Sequence, residues 1–137
     1  MISRLSHATI YVLDQDEAID FYVDTLGFEL KEDADMGEGN RWVTICSPDQ
    51  PEPEIILMEA EVGMSLDKKQ AGALQSLIRD GVFGFGVFDC TDIYATYEEL
   101  KSKGVYFKKS PQEEFYGTEA IFEDPFGNWF SLVERGK

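Results

Sequence analysis

His7 is the only histidine in a chain of 137 residues, and it is the side chain best suited to moving protons near neutral pH. An imidazole next to a carboxylate or a phenol can act as a general acid or base, and Glu119 and Tyr11 are the residues that could work with it on a bound carbonyl compound. The same imidazole could instead contact a ligand, or be a hydrogen-bonded part of the framework. The residue types leave these three roles open. Cys46 and Cys90 are far apart and form neither a CxxC nor a zinc-type spacing, so they read as reduced, buried thiols in a cytoplasmic protein. Gly81, Gly84 and Gly86 do not make a GxGxxG and precede no helix, which argues for bulges or close backbone packing rather than a phosphate cradle.

The 27 acidic residues against 12 basic ones give a formal charge of -15, and the balanced stretch after residue 100 contributes none of it. Nucleic-acid binding needs basic patches to neutralise phosphates, so that class is excluded, whereas a cationic small ligand would be attracted. The acids also serve as a solvated, solubilising coat. A hydrophobic content of 43% with ten Phe, six Tyr and two Trp predicts one compact body with an aromatic-rich core. The densest apolar run, Ile55-Ile56-Leu57-Met58, is too short to span a bilayer, and the first residues do not read as a secretion signal.

Residues that could do chemistry must be positioned by elements, and the elements repeat. His7-Ala-Thr-Ile-Tyr-Val-Leu-Asp14 opens an acidic helix, and Phe85-Gly-Val-Phe-Asp-Cys-Thr-Asp92 has the same layout before another. Asp14 with Glu17 reads as a capping box, and the spacing of Ala18, Ile19, Phe21, Tyr22 and Leu26 predicts a helix running to about Leu26, ended by Gly27. Three strands are then predicted, 28–33, 40–47 and 54–60, with a turn-forming stretch from Ser47 to Pro53. A helical stretch from Leu66 to about Arg79 connects to the second copy. There the pattern predicts strands at 82–90, 105–109, 116–123 and 129–134 and a helix from Asp92 to Ser102. The last two strands are joined by the tight turn Asp124-Pro125-Phe126-Gly127-Asn128. The class is α+β, with a βαβββ module at 1–60, a connector at 61–81 and a second module at 82–137.

Two such modules, an early His7, the helix end Leu26-Gly27-Phe28 and the Asp124-Pro125-Phe126-Gly127-Asn128 hairpin resemble the vicinal oxygen chelate superfamily of glyoxalase I, extradiol dioxygenases and bleomycin-resistance proteins. The resemblance implies a single domain whose paired modules form a U-shaped, eight-stranded cleft. It also implies a divalent metal held from the first and fourth strands of each module. His7 matches the first ligand position, Ile56 the second, Phe85 the third and Ser131 the fourth. Since isoleucine and phenylalanine offer no donor, no metal ligand set and no cofactor are expected, although a divalent ion is possible. A shifted register would offer Glu59 and Glu134 instead, but strand alternation turns those two away from the cleft.

Alternation places Thr9 and Tyr11 with His7, Met58 with Ile56, Val87 with Phe85, and Trp129 with Ser131, lining a mostly apolar pocket; Trp42, Thr44 and Tyr116 join its walls by the superfamily's layout. The resemblance implies a homodimer that binds an amphipathic small molecule, as bleomycin-resistance proteins do. The alternative is a lyase or isomerase similar to glyoxalase I, or an enzyme similar to an extradiol dioxygenase, acting on vicinal oxygens.

Overall fold

The computed structural model describes residues 1–63 and 65–136. The chain divides into two compact units, Met1–Ser76 and the residues from Leu77 onward. In the first, β1 (His7–Val12) is followed by α1 (Gln15–Ile19), a π-helical segment (Asp20–Thr25), β2 (Glu29–Gly37), β3 (Asn40–Ser47) and β4 (Gln50–Glu59). The strands lie side by side in the order β1-β4-β3-β2, with β1 and β4 parallel and the other pairs antiparallel. After α2 (Lys68–Arg79), which crosses the division, the second unit contains β5 (Gly84–Asp89), α3 (Ile93–Ser102), β6 (Tyr106–Glu114), β7 (Gly117–Glu123) and β8 (Trp129–Arg135). Its order β5-β8-β7-β6 repeats the first sheet. The α+β class and the βαβββ order read from the sequence are therefore those of the structure. Among the described residues no helix is long and apolar enough to cross a membrane.

The repeat extends to how the helices start. Asp14 and Asp92 hold extended backbone, and their carboxylates accept the N–H groups of Glu17 (2.8 Å) and Ala95 (3.1 Å). A second carboxylate arrives from the last strand of each unit: Glu59 accepts from Gln15 N–H at 3.3 Å and Glu134 from Ile93 N–H at 2.8 Å. Glu59 and Glu134 match between the modules because both satisfy first-turn donors that the helix itself leaves unpaired, where negative charge also suits the helix dipole.

Several boundaries differ from the sequence reading. The first helix does not continue in α form to Leu26, because Leu26 N–H reaches Phe21 O (2.9 Å) in the wider π pattern. That widening lets two consecutive aromatics, Phe21 and Tyr22, both be buried, their rings edge to face at 5.1 Å. Gly27 ends the segment with a positive φ of 85°, as its lack of a Cβ allows. β4 starts at Gln50 rather than Glu54, so Pro51 and Pro53 of the stretch predicted to form a turn lie within it, and β6 runs past Lys109 to Glu114 through Pro111. Pro111 falls where the β6–β7 register shifts, on a strand at the end of its sheet, where a missing donor costs least. Cys46 is buried as expected, but Cys90 is only half-buried; both thiols are free.

Val12, Val43, Ile45, Leu57 and Tyr22 fill the core of the first unit. Phe122, Phe130 and Ile93 do so in the second, where Phe88 stacks on Phe130 at 4.9 Å. The Asp124 side chain organises the β7–β8 connection. Asp124 Oδ1 accepts N–H groups from Phe126 (2.9 Å), Gly127 (3.0 Å) and Asn128 (3.0 Å), and its Oδ2 accepts from Asn128 Nδ2 (2.8 Å). Gly127 has a φ of 122° and backs onto Ile78, whose carbonyl oxygen would lie 2.2 Å from any Cβ added there.

Candidate functional site

Parallel pairing of β1 with β4 sets His7 opposite Glu54 and Thr9 opposite Ile56, and the antiparallel β3 continues that row with Thr44, then β2 with Glu32. Partners in register share a face, so one side of the first sheet gathers an imidazole, two carboxylates and a hydroxyl. His7 Nε2 is 3.8 Å from Glu54 Oε1, and its Nδ1 contacts Ser6 Oγ at 2.9 Å. The fully buried Thr44 donates its hydroxyl to Glu54 Oε1 at 2.8 Å, which fixes that carboxylate toward His7. Glu32 completes a group whose ligand atoms all lie within 4.8 Å of one another. Trp42 packs beside His7 with ring centroids 6.0 Å apart.

Trp42 also walls a cavity of about 300 Å³ in the same unit, with Met36, Met58 and Val62 as further apolar lining and Gln15, Arg41, Glu59 and Glu61 around it. Gln15 is locked by its amide donating to the Arg41 and Leu57 carbonyls at 3.0 and 2.9 Å. Arg41 is tied to Asp33 and Asp16, both at 2.8 Å, so its charge is already matched. Burial, then a hydrogen bond with Glu61 and the repulsion of that second carboxylate, push the Glu59 carboxyl above its ordinary range. The cavity is thus apolar on its walls and acidic at one side.

In the second unit, β5, β8, β7 and β6 align Val87, Ser131, Ile121 and Lys109 in one row, with Glu119 on the same face. Burial alone would raise the Glu119 carboxyl, but hydrogen bonds from Lys109 (2.9 Å), Tyr116 and Ser131 outweigh it and hold the group below the usual carboxylate range. Lys109 also bridges Glu114 at 2.9 Å. Glu119 is therefore an ion-paired acceptor in this unit. Phe85 sits at a bulge between Gly84 and Gly86 and stacks on Phe83 at 5.5 Å. Trp129 lies against Gly84, which has no room for a Cβ there, and Lys108 Nζ is 5.7 Å from its ring centroid.

Of the residues singled out from the sequence, His7, Thr9, Tyr11, Trp42, Thr44, Ile56 and Met58 fall in the first unit, and Phe85, Val87, Tyr116, Glu119, Trp129 and Ser131 in the second. Within the first, Trp42 and Met58 share the cavity, while His7 and Thr44 meet at Glu54. Sequence reasoning missed Glu54 and Glu32. A signal for Glu54 was present, since it lies two residues before Ile56 and alternation puts both on one face. Glu32 could not be found that way, because a register shift separates Leu30 from Glu32. At the four positions the superfamily uses for a metal, Ile56 and Phe85 offer no donor and Ser131 is hydrogen-bonded to Glu119, so those side chains do not fit that four-ligand site.

The glyoxalase/bleomycin resistance protein/dioxygenase superfamily model matches residues 4–132, and the chain belongs to that superfamily. The solved structure of UcmS2 is similar with 44% identity and a TM-score of 0.92, covering 98% of this chain and 99% of that one. TnmS3, an antibiotic binding protein from Streptomyces sp. CB03234, is similar at 25% identity and a TM-score of 0.73, with 98% of both chains covered. Among curated relatives, the uncharacterized protein YurT of Bacillus subtilis (strain 168) is 35% identical over 127 residues, 93% of this chain and 95% of its own.

Proposed function

We propose that the chain binds an amphipathic small molecule, cationic by preference, in the cavity beside Trp42, and that it acts by binding rather than by chemistry at the superfamily's four metal positions. The observation that carries this reading is the cavity itself: about 300 Å³ walled by Met36, Trp42, Met58 and Val62, with Glu59 and Glu61 at one side. An apolar pocket with a few polar groups is the usual form of a small-molecule site, and its size falls at the lower end of that range. Two carboxylates at one side of an apolar pocket favour a cationic group beside them. TnmS3, of similar fold, is an antibiotic binding protein, which supports a ligand of that kind here.

The test is a titration panel of cationic glycopeptide drugs, hydroxylated aromatics and α-keto thiohemiacetals. Trp42 fluorescence is read alone in a Trp129→Phe background. One class at most is expected to respond, the cationic one, with affinity falling as salt rises. Binding preferred by anions, or indifferent to salt, would overturn the choice of a cation. The second reading, proton transfer on a carbonyl compound, is favoured by His7 lying 3.8 Å from Glu54; turnover that a His7→Ala change abolishes would establish it. We also propose a homodimer, because β1 and β2, and β5 and β6, are strands at the ends of their four-stranded sheets and invite pairing. Light scattering should give twice the chain mass, and a monomer mass at high micromolar concentration would refute this.

A further inference from the structure

We infer that His7, Glu32 and Glu54 form a site for one divalent first-row transition ion, held within the first unit and distinct from the superfamily's four positions. Only His7 is shared with those positions; Glu32 comes from β2, which supplies no ligand in that scheme, and the second unit contributes nothing. The ligand atoms of the three lie within 4.8 Å of one another. Ligands about 2.0–2.2 Å from a zinc ion stand roughly 3.5 Å apart in tetrahedral geometry. The 3.8 Å between His7 Nε2 and Glu54 Oε1 is therefore near the required spacing. Glu32 is exposed, so it has the freedom to close the remaining distance.

Two further observations favour a cation at this point. First, the His7 ring is oriented from behind: Ser6 Oγ engages Nδ1 at 2.9 Å and leaves Nε2 directed at Glu54, the arrangement that outer hydrogen bonds impose on metal-ligating imidazoles. Second, among the described residues neither Glu32 nor Glu54 has a lysine or arginine partner, so no side-chain cation already occupies the space between these two carboxylates and the imidazole. One hydroxyl, from Thr44, donates into the group. An imidazole lone pair and two carboxylates facing one another form an acceptor-rich cluster that a divalent ion of borderline softness would satisfy.

The experiment is equilibrium dialysis of the intact chain against Zn²⁺ and Mn²⁺, with the melting temperature followed in parallel. About one ion per chain should bind and raise the melting temperature. His7→Ala, Glu54→Gln and Glu32→Gln should each weaken binding at least tenfold, while Glu98→Gln, an exposed change in α3, should leave it unaltered. Glu32→Gln is exposed and keeps the fold intact, so a loss there reads the site and not unfolding. Absence of binding would overturn the inference. So would binding that survives His7→Ala, or that Ca²⁺ reproduces with equal affinity, because either marks the diffuse attraction of an acidic surface. Small-molecule binding in the cavity stands or falls separately, since none of the three residues lines it.

Discussion

Replacing Asp124 by Ala is expected to destabilise the fold by about 3–5 kcal/mol, which lowers the melting temperature by roughly 10 °C or more for a chain of this size. One carboxylate accepts three backbone N–H groups and the Asn128 amide in a turn where Asp124 is 5% exposed and Asn128 fully buried. Removing it strands those donors away from water, and each buried donor without a partner costs on the order of 1–3 kcal/mol. Asp124→Asn retains one carbonyl oxygen for the N–H groups but sets an amide N–H₂ against that of Asn128, so it should fall between the parent and Asp124→Ala. Chemical denaturation gives the ordering directly; equal stability of all three proteins would contradict it.

The second large effect is on ligand binding. Val62 is 61% exposed and lines the cavity from a loop, so Val62→Trp should fill the space without removing a core contact. Trp42→Ala acts in the opposite way, deleting the aromatic wall that a ligand would cover. Loss of about 2 kcal/mol of apolar contact weakens binding by roughly 30-fold, and a filled cavity should abolish it. Tyr94→Ala, an exposed change on α3, should leave affinity within about twofold as a control. Val62→Trp should do this with no change in melting temperature, which separates occlusion of the pocket from unfolding.

The repeated order of elements was legible because it rests on local signals: Asp14 and Asp92 as caps, glycines at helix ends, and the Asp124–Asn128 turn. Each is enforced by hydrogen bonds within a few residues. Where the sequence reading stopped short, longer-range packing decided the outcome. Nothing local distinguishes a π-helical segment at Phe21 and Tyr22 from an α-helix; the burial of both rings does. The site was less legible for the same reason. Met58 could be placed by alternation and Trp42 and Thr44 by the superfamily's layout, but joining His7 to Glu54 requires the β1–β4 register, and joining either to Glu32 requires a register shift in β2 that no propensity encodes. The cavity also depends on Gly39 and on the loop at Glu61, Val62 and Gly63, segments with no periodicity to read.

The most direct test of a small-molecule site beside Trp42 is amide chemical-shift mapping of the labelled chain with whichever compound responds in the panel. The largest shifts are expected at Met36, Trp42, Met58 and Val62, saturating with one equivalent of ligand and absent in Val62→Trp. Shifts confined to the residues from Leu77 onward, or persisting unchanged in Val62→Trp, would contradict it.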